Sequence, residues 1–143
     1  MSVTDRIRAA PNIYLGKNPR YEALVSRLAD DALFFGASDV QVKRLGTWWV
    51  VISDKDWLCD EGGSIIFDEF YQLIPIPGGE YFRDRVLVII NSFSSSLITK
   101  GRDGIKCICG CDTAIPHDVE MLLDNCSNLY RAFAFSLIDF DAM

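Results

Sequence analysis

The most constraining stretch of this sequence is Val86-Leu87-Val88-Ile89-Ile90, an uninterrupted apolar run in which four of the five residues are β-branched. Such a run must leave water on every side, and its length and branching predict a central strand covered on both faces and continuing through Asn91, Ser92 and Phe93. Arg83, Asp84 and Arg85 precede it and Ser94-Ser95-Ser96 follows, which puts both ends of the segment at solvent.

Around this run the chain divides into shorter periodic pieces. Asn18-Pro19 supplies a helix start, Tyr21, Leu24, Val25, Leu28 and Ala32 fall along one helical face, and Gly36 offers an end. Val40, Val42 and Arg44 alternate with Gln41 and Lys43, and Trp48 to Ile52 forms a second β-rich run, so two strands joined through Leu45-Gly46-Thr47 are expected. Trp48 and Trp49 must then point to opposite faces, one into the core and the other beneath a helix or toward a partner. A short helix over Ile66 to Ile74, or a strand at Ile65 to Phe67 in its place, is stopped by Pro75 and Pro77. Leu97 to Thr99 and Ile105 to Cys111 read as strands, Pro116 opens a helix with Val119, Leu122, Leu123 and Cys126 on its apolar stripe, and residues 130–138 alternate as a last strand, with a helix through Leu129, Phe133, Leu137 and Phe140 as the alternative. The expected architecture is α+β, a single compact domain over residues 1–143 with an antiparallel or mixed sheet and helices largely on one face. Residues 1–18 are expected as a peripheral N-terminal arm.

A chain of 143 residues is long enough to build a core without metal or disulfide staples. The net charge of −6 works against non-specific nucleic-acid binding, which draws much of its affinity from lysines and arginines displacing counterions. No apolar run approaches the roughly 20 residues needed to cross a bilayer, and none resembles a signal-peptide core, so a cytoplasmic protein without a membrane is expected. Five cysteines cannot all pair within one chain, and reduced thiols are the simplest expectation. Cys107, Cys109 and Cys111 would share one face of a regular strand at about 7 Å spacing, too far apart for one thiolate shell at about 2.3 Å from zinc. Neither a metal nor another cofactor is therefore expected, and no glycine cluster fits a phosphate-binding loop.

The clearest chemical signal is acidic. Asp54, Asp56, Asp60, Glu61, Asp68 and Glu69 share a segment in which Lys55 is the only base, and Trp57 lies among them. Carboxylates beside an aromatic anchor suit steering and capture of a basic protein. The expectation is an acidic cytoplasmic partner-binding protein, with a toxin-neutralising immunity protein as its concrete form and no catalytic residue assigned. The alternative is a small hydrolase or transferase that assembles an acid pair, or a cysteine with His117, in a tertiary cleft.

Overall fold

A computed structural model describes residues 2–15, 21–58, 65, 67–73, 86–127 and 130–138. At its centre a five-stranded antiparallel sheet runs in the order β1-β2-β5-β3-β4, formed by β1 (Val40–Leu45), β2 (Trp48–Ser53), β3 (Ser94–Gly101), β4 (Gly104–Cys109) and β5 (Arg131–Leu137). The expected hairpin is present: Gly46, at φ +65°, takes the first central position of a two-residue turn in which Thr47 keeps a negative φ, the type II′ geometry that suits strand twist. The alternating tail forms β5, which sits mid-sheet and sends Phe133 and Phe135 to one face and Ala132 and Ala134 to the other. Trp48 and Trp49 divide between the faces in the same way.

One face carries α1 (Val3–Arg8), α2 (Pro11–Leu15), α3 (Tyr21–Phe34), the 3-10 turn η1 (Phe67–Phe70) and α4 (Leu87–Ser92); the other is covered by α5 (His117–Asp124). The protein is thus a single α+β domain with its helices largely on one side. The end of α3 follows from Gly36, whose φ of +108° lets Ala37 N–H reach back to Ala32 carbonyl and Gly36 N–H to Leu33 carbonyl, closing the helix in a Schellman turn. At the N-terminus, where a peripheral arm was expected, Ser2 and Asp5 form a capping box at the start of α1, Ile7 is fully buried, and Arg8 Nε donates to the Ser92 carbonyl at 2.7 Å. The helix start at Asn18-Pro19, the Pro75 to Gly79 exit and the charges of Arg83 to Arg85 lie outside the described residues.

The apolar run is a helix, which corrects the expectation of a strand. Every residue from Val86 to Phe93 is buried, because α4 lies beneath α1 and beside η1 against the sheet. A segment enclosed on all sides carries no helical or strand period, so composition alone pointed to the β-branched choice. Ser94 and Ser96 of the serine tract are likewise interior, with Ser95 exposed between them: Ser92 and Ser94 donate to the carbonyls of Val88 and Ile90 at 2.6 and 2.5 Å, and the strand begins within the tract. Near Ile66 to Ile74 the described helix is only the four-residue η1.

Two expectations about the cysteines are also corrected. A shift in register between Leu97 and Ile98 pairs Ile98 with Cys107 but Leu97 with Cys109, leaving one extra residue in β4. That bulge turns Cys107 toward the α5 face and Cys109 toward the α4 face, so the two do not share a side. Gly110, at φ +66°, then reverses the chain so closely over β3 that a Cβ would collide with the Ser95 carbonyl. The reversal brings Cys111 back to Cys107 as a disulfide, while Cys109 and Cys126 are free thiols.

Candidate functional site

The described residues of the acidic segment do not form one surface. Asp54 accepts from the Ser38 amide at 2.9 Å and from the Ser38 hydroxyl at 2.5 Å, tying the β2 exit to the turn after α3. That hydroxyl, followed by the nearby backbone amides, holds the Asp54 carboxyl below its ordinary value. Asp56 is engaged by Arg131, and Trp57 is 94% buried, stacked on Phe35 and tilted against Phe133. Glu69 is buried in η1, whereas Asp68 is exposed. Asp60 and Glu61 lie outside the described residues. Trp57 is therefore a core residue, and its indole N–H has no hydrogen-bond acceptor among the described residues.

Arg131 takes up one of these carboxylates, Asp56. Its Nε and Nη2 donate to the two oxygens of Asp56 at 2.9 and 2.8 Å, Nη2 also reaches Asp103 at 2.8 Å, and Nη1 reaches the Thr99 hydroxyl at 3.2 Å. Burial works against the charged guanidinium, but the two carboxylates outweigh it and raise its proton affinity. Gly101 leaves room for this cluster, because a Cβ there would meet both Arg131 and Asp56. The cluster is fully used in joining β5, β3 and the β2 exit.

A different group of residues lines an open groove of about 330 Å³ between α3 and the β1–β2 hairpin. Glu22, Ser26 and Asp30 are spaced i, i+4 and i+8 and so form one row along α3, while Val25 and Ala29 lie in the adjacent row. Val42 and Trp49 supply the opposite wall from β1 and β2. Arg44 covers part of the Trp49 ring, with its guanidinium carbon 5.0 Å from the centroid. Among the described residues neither Glu22 nor Asp30 has an ion-pair partner, so the groove combines an apolar floor with two uncompensated carboxylates. The sequence expectation for one tryptophan, that it lies under a helix or faces a partner, is met by Trp49, at the edge of α3. Glu22 and Asp30 were missed because they are spread along a helix rather than clustered in sequence.

Among the described residues the cysteine–histidine alternative gains no geometry. His117 is exposed at the start of α5, and no hydrogen bond joins it to a cysteine among the described residues. Burial raises the Cys109 thiol against the opposing influence of Arg8, and raises Cys126 against that of Lys100, so both favour the protonated, less reactive form. Among the described residues there is no cluster of three side chains suited to a metal ion, and no helix is long and apolar enough to cross a membrane. No family model, curated protein or solved structure matches this chain.

Proposed function

We propose that this protein binds a basic protein, and that the groove between α3 and the β1–β2 hairpin receives a lysine or arginine side chain of that partner. The observation that carries the reading is the pair Glu22 and Asp30 above Val25, Ala29 and Trp49: carboxylates with no salt bridge among the described residues, beside an aromatic ring that already holds a cation, the chain's own Arg44, on part of its surface. A long cationic side chain places its methylene stem on such a floor and its charge at such a rim. The net charge of −6 adds long-range attraction to a basic partner and speeds encounter. A cytoplasmic immunity protein that occludes a toxin is the concrete instance of this class.

Co-purification from the source cells, followed by binding kinetics with the purified partner, tests the reading. Glu22→Gln with Asp30→Asn should slow association and flatten its salt dependence, whereas Trp49→Ala should speed dissociation. Unchanged rates in both folded variants would sink the groove as the contact site.

A further inference from the structure

We infer that β1 is a docking edge, at which an extended segment of a basic partner adds a sixth strand to the sheet. The inference rests on the groove reading above and specifies the form in which the partner's cation arrives. β1 ends the sheet and pairs only with β2 among the described strands. Its outward backbone groups are identifiable. The Asp54 amide bonds the Asp39 carbonyl at 3.1 Å, and the two-residue turn at Gly46 closes the other end of the same ladder. In an antiparallel pair the bonded residues alternate, so Gln41, Lys43 and Leu45 turn their amides to β2, and Val40, Val42 and Arg44 turn theirs outward.

Two cavities flank this edge, one on each face of the sheet. Val42 lines the acidic groove of about 330 Å³ with Glu22, Asp30 and Trp49. Its neighbour Gln41 lines a second cavity of about 220 Å³ on the α5 side, with Ile52, Leu122 and Tyr130. Successive side chains of an added strand point to opposite faces, so one residue would stand over the carboxylates and the next over the second cavity. The first position calls for lysine or arginine and the second for an aliphatic residue. The opposite edge of the sheet, β4, is less suited, because it is bulged and curls into the Cys107–Cys111 link. Net charge disfavours a second copy of this chain, since two copies would each bring a charge of −6; at the edge itself Lys43 and Arg44 are basic, and the attraction for a cationic segment comes from Glu22 and Asp30 in the groove.

The test uses the intact protein and three synthetic nine-residue peptides that alternate threonine and valine. One carries a central arginine, one a central glutamate, and one the central arginine with alternate backbone nitrogens methylated. Calorimetry should show saturable binding of the arginine peptide, with amide NMR shifts at Val40, Val42 and Arg44. Glutamate and backbone methylation should each weaken binding at least tenfold. Val42→Pro, which removes an outward amide that the β1–β2 ladder does not use, should do the same. If that variant fails to fold, the methylated peptide decides the question on the unchanged protein.

Absence of saturable binding by the arginine peptide overturns the proposal. Loss of binding in Glu22→Gln/Asp30→Asn, with full binding by the methylated peptide and by Val42→Pro, overturns strand addition and leaves the groove reading standing. Equal binding of the arginine and glutamate peptides overturns the groove reading and the basic partner together. Sedimentation showing a dimer that Val42→Pro dissociates would assign the edge to a second copy and also overturn the proposal.

Discussion

Arg131, fully buried on β5, holds Asp56 through two parallel hydrogen bonds of 2.9 and 2.8 Å across 75 positions of sequence. A charged pair taken out of water is tolerated because Asp103 and Thr99 occupy two of the three guanidinium donors that Asp56 leaves. Asp56→Asn should therefore lower unfolding stability by up to about 3 kcal/mol, the lower end of the scale for breaking a buried ion pair, because Asp103 still holds part of the charge. Asp103→Asn should cost less, since Asp103 keeps 23% of its side chain exposed and Asp56 still balances the cation. Urea unfolding of the two variants checks both the loss and its order.

Ser38 and Asp54 make a smaller, pH-dependent link. The Asp54 carboxyl sits below its ordinary value in the folded chain, so its contribution is present above the unfolded value and is lost as pH falls through the folded one. NMR titration of the Asp54 carboxyl carbon should show that depression, and Ser38→Ala should move the midpoint upward. A midpoint unaffected by Ser38→Ala would contradict the hydroxyl as the main cause.

Trp57 should behave as core. Trp57→Phe keeps an aromatic ring between Phe35 and Phe133 while deleting an indole N–H that has no acceptor among the described residues, so the two effects offset and stability should change by less than about 1.5 kcal/mol. Trp57→Ala should cost about 3 to 5 kcal/mol. Thermal melting distinguishes these from an exposed anchor, for which both substitutions would leave folding unchanged.

Peptide mapping without reductant should recover Cys107 joined to Cys111, with Cys109 and Cys126 alkylated. Removing the link by Cys107→Ser should cost on the order of 2 kcal/mol on the chain-entropy scale for so short a loop. Recovery of Cys107 and Cys111 as alkylated thiols would restore the reduced state expected from the odd cysteine count.

Elements whose two sides differ left a pattern in the sequence. The α3 stripe ends where Gly36 permits its turn, the hairpin bends at Gly46, and β5, buried on both faces, alternates phenylalanine on the α3 and α4 side with alanine on the α5 side. The spacing of Leu129, Phe133 and Leu137 in that pattern also suited a helix. Val86 to Ile90 was opaque for the opposite reason: with apolar neighbours all round, neither period is imprinted on the side chains. The acidic segment misled because a carboxylate's counterion need not be near in sequence, and Arg131 neutralises Asp56 from the far end of the chain. The groove was legible only in Trp49, the member of the tryptophan pair that turns toward α3. Glu22 and Asp30 acquire meaning when α3 is laid beside β1, a packing choice that no local pattern encodes.

Only Phe93 separates the end of α4 from the start of β3, and it is fully buried, with the hydroxyls of Ser92 and Ser94 returned to carbonyls of the preceding helix. A protease needs several residues of extended, accessible chain, and this junction offers none until helix and strand have both come apart. Cleavage between Ser92 and Ser94 would thus follow whole-domain opening and serve as a clock for it, with a rate that reports the population of the globally opened molecule rather than the local fraying of a loop.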